Sequence, residues 1–212
     1  MADYELNDHD RAEIVKRFFL RYGYIILITL ILCAVAMGVQ ALWQNHQQNR
    51  NQAASNAYQA LTVSMQNGAK PEVISAGANQ IVANYPDTAY ASLAQMNLAQ
   101  IAVTQNNLSL AESTLTADLK NNHSNDLAPI ITLRLARVLL AENKATEALK
   151  ILQDPPKGYV SAYSLLMGDA NVQLNNRLAA KDNYQKGLIA AGDTNPLITQ
   201  LLTERLNHLN VN

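Results

Sequence analysis

Residues 22–43 are apolar on every side of a helix, whereas the rest of the chain places apolar residues at helical spacing among polar ones. A helix over Gly23–Trp43 would be about 31 Å long, close to the hydrocarbon thickness of a bilayer. It contains no Asp, Glu, Lys or Arg, and Tyr22, Tyr24 and Trp43 lie at its ends, where aromatic side chains favour the membrane interface. The pattern predicts a transmembrane helix over 22–43.

A cleaved signal peptide is the main alternative for this stretch. Arg17 and Arg21 precede the apolar run, and Ala34–Ala36 fits the small-residue pattern of a cleavage site. Apolar residues continue past this site as far as Leu42, although such a site normally lies where the apolar run ends. A helix of a soluble core would normally show a polar face, which this stretch lacks.

The charged residues on either side of the stretch predict its orientation. Four basic residues precede it within about twenty positions, and only Arg50 follows it within the same distance. Because cytoplasmic flanks are enriched in Lys and Arg, residues 1–21 are predicted to lie in the cytoplasm and residues 44–212 outside it. In a cell with two membranes, the larger part would then be periplasmic.

After residue 44 the apolar positions follow helical spacing, and no strand-like alternation is seen. Polar breaks separate the helices, and the prolines fall in these breaks or at helix starts, where Asp126 and Asn195 are placed to act as caps. The pattern predicts four helix pairs and one further helix, over residues 44–66 and 70–84, 88–105 and 108–120, 128–142 and 145–153, 159–174 and 177–190, and 196–209.

Small residues at a fixed spacing indicate how these pairs pack. Two helices of a tetratricopeptide unit cross so closely that only Ala or Gly fits at each contact, and such residues recur here twelve positions apart, as Ala99 and Ala111, Ala136 and Ala148, and Gly168 and Ala180. The predicted fold is all-α, with a single N-terminal transmembrane helix followed by a tetratricopeptide-like helical-repeat solenoid. A generic helical bundle is the alternative.

The last predicted helix carries an apolar stripe. It is expected to face back onto the array as a C-terminal capping helix, since the open end of a solenoid needs a cover. Docking of a partner protein is the alternative use. The stripe consists of Leu197, Leu201, Leu202, Leu206 and Leu209.

Composition argues against an enzyme. The lone Cys33 permits no disulfide within one chain, the four histidines are isolated, and no glycine-rich phosphate loop or nucleophile with an adjacent base is present. Asp169 and Asp182 are most simply solvated or capping charges. No catalytic residue, metal site or cofactor is therefore predicted.

The charge balance argues against nucleic acid as a partner. Four of the sixteen Lys and Arg and five of the seventeen Asp and Glu precede Tyr22, so the part after Trp43 carries twelve of each. Nucleic-acid binding needs a basic surface to displace counterions, and this part of the chain is neutral.

A solenoid without catalytic groups usually serves as a protein-binding surface, formed by the first helix of each pair. Arg134 and Arg137 share one such helix and are placed either to bind a carboxylate or backbone of a partner or to be ordinary exposed charges. The candidate groove residues are Tyr90, Gln95, Asn97, Leu133, Arg134, Tyr163 and Asn171.

Several segments resemble the YfgM family. They are "AEIVKRFFLRYG" before the apolar stretch, "NYPDTAYASLAQMNLA" and "LRLARVLL" in the array, and "MGDA" followed by "ERLNHL" near the end. Their order and spacing agree over nearly the whole chain. The segment "YPDTAYASLA" alone is unspecific, because other envelope proteins with tetratricopeptide repeats contain similar sequence segments.

The resemblance implies an ancillary subunit of the Sec translocon, held in the inner membrane by one helix. It also implies the expected partners, which are the SecYEG translocon, the periplasmic chaperone PpiD, translocating or newly secreted polypeptides, and the Rcs response regulator. Membrane lipid is expected around the span. A generic membrane-anchored tetratricopeptide scaffold for another envelope assembly machine is the alternative.

Overall fold

A computed structural model describes residues 8–121, 126–192 and 195–211 of the chain. Over these ranges every regular element is an α-helix. The helices are α1 Asp8–Gln66, α2 Pro71–Asn84, α3 Ala89–Thr104, α4 Leu108–Asn121, α5 Ala128–Ala141, α6 Ala145–Ile151, α7 Val160–Gln173, α8 Arg177–Ala191 and α9 Pro196–Val211.

The chain divides into two compact units, Met1–Arg50 and Asn51–Asn212. In the first unit, the large apolar side chains of α1 whose exposure is described are exposed, and Leu30 and Leu42 are 63% and 73% exposed. Within the described residues, one helix is long and apolar enough to cross a membrane, and it is the Leu20–Gln66 part of α1. Uncovered apolar side chains along such a helix fit a membrane anchor.

The second unit is an array of helix pairs whose internal turns share one geometry. Gly68, Asn106, Asn143 and Asn175 each follow a helix end with a positive φ of 58–71°. After α3, the N–H of Asn107 donates to the carbonyl of Ala102 at 2.8 Å, and the same bond recurs after α5 and α7. This is a Schellman helix end, in which Gly or Asn tolerates the left-handed backbone.

All six small residues predicted at the helix crossings are buried. They belong to the pairs α3 with α4, α5 with α6, and α7 with α8, and the helices of each pair pack against each other. Tyr184 packs directly on Gly168, so that a Cβ at residue 168 would overlap three atoms of the Tyr184 ring. Small side chains are therefore needed where the helices of a pair approach most closely.

The predicted cap is confirmed for most of its stripe. Leu202 of α9 is fully buried, and Leu201, Leu206 and Leu209 pack against the same cluster on α7 and α8. Leu197 is an exception, since its side chain is 67% exposed. It lies in the first turn of α9 on the exposed side of the helix, whereas the adjacent Ile198 packs against the cluster.

The bounds of α2 to α9 agree with the predicted ones within two residues, whereas the predicted span over 22–43 and the predicted helix over 44–66 form one continuous helix, α1. One of the two capping predictions is confirmed and the other is wrong. Asn195 accepts a hydrogen bond from the N–H of Ile198 at 3.3 Å, as expected of a cap. The prediction for Asp126 was wrong, because Leu127 occupies the cap position of α5 and no side chain caps that helix. Pro129 in the first turn makes a cap there less necessary, since its nitrogen has no proton to donate.

Candidate functional site

A pocket of about 260 Å³ opens between α3, α4 and α5. Met96, Ala99, Leu115 and Val138 are buried at its base, and its rim carries side chains that are partly or fully exposed. We call it the α3–α5 pocket. Its complete lining is Met96, Ala99, Gln100, Val103, Leu108, Leu115, Arg134, Arg137, Val138 and Ala141.

The charged side chains of the α3–α5 pocket are Arg134 and Arg137, which we call the pocket arginines. They lie three residues apart on α5, a spacing that places both on one face of the helix. Arg134 is half-buried and Arg137 is exposed. Neither forms a hydrogen bond or ion pair with any described residue. The pocket therefore combines an apolar base with two guanidinium groups that have no partner among the described residues.

Tyr90 and Asn97, two other predicted groove residues, contact the last turns of α1. The rings of Tyr90 and Tyr58 lie 5.9 Å apart, and the amide of Asn97 donates to the hydroxyl of Tyr58 at 3.2 Å. Both residues are half-buried, so part of each side chain stays accessible. Their binding role stays a prediction.

Leu133, Tyr163 and Asn171 lie inside the array instead of on its surface. Their exposed fractions are 8%, 3% and 6%. Tyr163 donates to the carbonyl of Pro129 at 3.4 Å, and burial raises the pKa of its hydroxyl. Asn171 donates to the carbonyl of Met167 at 2.8 Å. In this conformation the three side chains support packing, and their role in binding a partner stays a prediction.

Gln95 belongs to a buried polar network between α3 and α4. One carboxylate oxygen of Asp118 accepts hydrogen bonds from the Ser92 hydroxyl at 2.8 Å and from the Gln95 amide at 3.2 Å. The other oxygen is buried without a hydrogen-bond partner among the described residues. Burial raises the pKa of Asp118, and the bond from Ser92 opposes this shift.

We expect Asp118→Asn to stabilise the protein at neutral pH. Because the pKa of Asp118 is higher in the folded state than in the unfolded state, ionisation destabilises the fold, and this cost disappears as pH falls below the unfolded value of about 3.9. The melting temperature at pH 7 should rise by about 2–4 °C, equivalent to about 1 kcal/mol. Thermal melts followed by circular dichroism between pH 7 and about pH 4 should show this advantage shrinking on acidification.

Asp182→Asn provides a matched control, since Asp182 is exposed on α8. It should leave the melting temperature at pH 7 unchanged. An Asp118→Asn variant that is less stable than wild type at pH 7, or whose advantage grows on acidification, would contradict the expectation.

A second polar cluster joins α7, α8 and α9. One carboxylate oxygen of Asp169 accepts from the Tyr184 hydroxyl at 2.8 Å and from Arg205 at 2.9 Å, so the expectation of a solvated or capping Asp169 was wrong. Burial raises the pKa of Tyr184, and the neighbouring Asp169 raises it further. Arg177 of α8 donates to the carbonyl of Leu209 on α9. These polar contacts therefore hold α9 against α7 and α8, in addition to its apolar packing.

The pocket includes residues that the sequence pattern did not single out. Met96, Gln100 and Val103 of α3 face it, together with Leu108 at the start of α4. Arg134 is the predicted groove residue that does line it. The sequence feature that pointed to this pocket is the spacing of Arg134 and Arg137, because two guanidinium groups one turn apart are placed to act together.

No metal site emerges from the described part of the chain, where no three His, Cys, Asp or Glu side chains come together suitably. Of the four histidines, His46 is exposed, and His208 lies 3.9 Å from Glu204. His123 lies outside the described residues.

Comparison with known proteins adds an independent finding. The family model described as a tetratricopeptide repeat-like domain matches residues 16–211. An ancillary SecYEG translocon subunit of Escherichia coli K12 is 31% identical over 212 residues, which is 100% of both chains. A protein of the same name from Aggregatibacter actinomycetemcomitans is 29% identical, covering 97% of this chain and 99% of the relative.

The relative from Haemophilus influenzae Rd, also named an ancillary SecYEG translocon subunit, is 27% identical and covers 97% of this chain and 99% of its own length. No solved structure matches the chain significantly. The helical array, the apolar N-terminal helix and the full-length similarity agree with one another. The chain therefore belongs to the YfgM family and carries a tetratricopeptide repeat-like domain.

Proposed function

We propose that this chain is an ancillary subunit of the Sec translocon, anchored in the inner membrane. The observation that carries the proposal is the similarity to the Escherichia coli ancillary SecYEG translocon subunit, which extends over 100% of both chains. Because the alignment includes the apolar stretch as well as the array, it supports a shared anchor and a shared helical domain. A match confined to the repeats would support only the fold.

In this proposal residues 22–43 span the membrane, residues 1–21 lie in the cytoplasm and residues 44–212 lie in the periplasm. The uncovered apolar surface of α1 supports the span. The excess of Lys and Arg before the span over those after it supports the orientation.

The array acts here as a protein-binding module without catalytic activity. Helical repeats present long surfaces to partner proteins, and the α3–α5 pocket is such a surface. The hydrogen bonds that Asp169 accepts from Tyr184 and Arg205 hold α7, α8 and α9 together. Family resemblance supports work with the chaperone PpiD on newly translocated proteins, and a cytoplasmic link to the Rcs response regulator.

Affinity purification tests the translocon assignment. The full-length chain, tagged at one end and expressed at its native level, is extracted from membranes in a mild detergent, and its partners are identified by mass spectrometry. We expect SecYEG and PpiD to be enriched several-fold over a control purification with a tagged, unrelated single-pass protein.

Photo-cross-linkers at exposed positions sharpen this experiment. Ile189 and Leu178 on α8 are 84% and 79% exposed, so a cross-linker there does not disturb packing. Cross-links to translocon components or PpiD support the proposal. Recovery of a different envelope machine in place of SecYEG would favour the generic scaffold and refute the translocon assignment.

A further inference from the structure

No carboxylate lies within ion-pair distance of the pocket arginines among the described residues. Two other cationic side chains of the array do pair with carboxylates, since Arg205 lies 2.9 Å from Asp169 and Lys144 lies 2.5 Å from Glu112. The pocket arginines lie on one helix face beside an apolar base, and two guanidinium groups without a carboxylate partner leave a local excess of positive charge at the rim of the α3–α5 pocket.

Guanidinium groups recognise carboxylates with particular geometry. Each is planar, remains charged, and presents paired N–H donors that match the two oxygens of a carboxylate. Arg134 is half-buried beside an apolar wall, where a charge-assisted hydrogen bond is screened less than one in open water. The amide of Gln100, exposed on the α3 side of the rim, adds donors and an acceptor for a polypeptide backbone.

The base of the pocket suits an apolar side chain. Met96, Leu115 and Val138 form its buried floor, and Val103 is 39% exposed beside them. The volume of about 260 Å³ lies just below the range of about 300–1,000 Å³ that is usual for small-molecule sites. A single large side chain of a polypeptide fits this space better than a cofactor would.

We propose that the α3–α5 pocket binds a partner segment in which a large apolar residue stands next to an Asp or Glu side chain. The apolar side chain enters between α3 and α5, and the carboxylate pairs with Arg134 and Arg137. Charge complementarity selects this occupant over a neutral or basic segment. The inference rests on the proposed function, because it requires the array to be a protein-binding module.

Peptide binding to the full-length chain in detergent micelles tests this proposal by fluorescence anisotropy. The probe is a short fluorescein-labelled peptide with both ends blocked, carrying Leu-Phe-Asp-Asp in a Gly-Ser background. Matched peptides replace the two acids by Asn-Asn or the two apolar residues by Ser-Ser. We expect the first peptide to bind at least tenfold more tightly than either matched peptide, and more weakly as salt is added.

The variant Arg134→Gln/Arg137→Gln should lose at least tenfold in affinity for the acidic peptide. Because neither arginine has a partner among the residues that the structure describes, the melting curve of this variant should match that of wild type. Lys181→Gln/Lys186→Gln removes the same charge from exposed positions on α8 and should bind as wild type does. Ala141→Leu narrows the exposed rim of the pocket and should weaken binding without changing the net charge.

Equal affinity for the Asp-Asp and Asn-Asn peptides, an unchanged affinity in the double arginine variant, or no binding of any peptide would overturn the proposal. Tighter binding of a peptide that ends in Leu-Phe with a free carboxylate would also overturn it, by assigning the arginines to chain termini. Loss of SecYEG co-purification with retained peptide selectivity would refute the proposed function alone. Normal co-purification without peptide selectivity would refute only this inference.

Discussion

Replacing Gly168 by Ala should cost about 3 kcal/mol of folding free energy or more, at the upper end of overpacking effects. A Cβ at this position would overlap the ring of Tyr184, and even the farthest of the three ring atoms concerned, Cζ, would lie only 2.8 Å away. Movement of Tyr184 is restricted, because its side chain is 1% exposed and its hydroxyl is bonded to Asp169. Thermal unfolding of the full-length chain in detergent should show a loss of about 2–4 °C for each kcal/mol.

The same substitution at Gly38 is the matched control. Nothing lies within 4 Å of a Cβ built there, so Gly38→Ala should be neutral or slightly stabilising. A second test combines Gly168→Ala with Tyr184→Leu. If steric overlap is the cause, Tyr184→Leu should cost less in the Gly168→Ala background than alone. Additive effects, or a Gly168→Ala variant as stable as wild type, would show that the close approach of Tyr184 to residue 168 does not restrict the side chain at this helix crossing.

Placing two arginines in the middle of the apolar helix should release the chain from the membrane. Ile31 and Val35 lie one turn apart on α1 and are 53% and 57% exposed. A charged side chain near the centre of a spanning helix costs about 2.5–3.5 kcal/mol, so Ile31→Arg/Val35→Arg should cost about 5–7 kcal/mol. We expect the variant to appear in the supernatant after carbonate extraction, whereas wild type stays in the pellet.

Leu20→Arg serves as the control, because Leu20 adjoins the basic flank at the end of the span, where a long cationic side chain can reach the interface. It should stay in the carbonate pellet. Retention of Ile31→Arg/Val35→Arg in the pellet would argue against residues 22–43 as the span. The intact mass of the wild-type chain separates anchoring from cleavage, since loss of residues 1–36 would identify a signal peptide.

The helical array could be predicted well because its signals are local. Apolar spacing, polar breaks and prolines located the helices of the second unit, and the recurring small residues identified their crossings. The left-handed backbone conformation of Asn106, Asn143 and Asn175 could also have been predicted from the sequence. Each stands at the same place after a helix, and Asn is among the few residues that tolerate this backbone.

The candidate site was harder to predict because its parts are distant in the sequence. Helix membership alone does not say which face of α5 or α7 meets a neighbouring repeat, and so Leu133 and Tyr163 were assigned to a groove although they are buried. No local sequence pattern indicated that Asp118 is buried, since its partners Ser92 and Gln95 lie on another helix. Asp169 acquired two partners for the same reason.

The sequence by itself determined that this protein has one membrane-length apolar helix and an all-helical repeat domain, because both follow from the order of apolar and polar residues along single helices. The tertiary structure alone decided which side chains are accessible and which charged groups form ion pairs. In the described part of the chain it left Arg134 and Arg137 without partners beside an apolar pocket, whereas it paired Arg205 with Asp169. Those outcomes depend on how separate helices pack, and no local pattern encodes them.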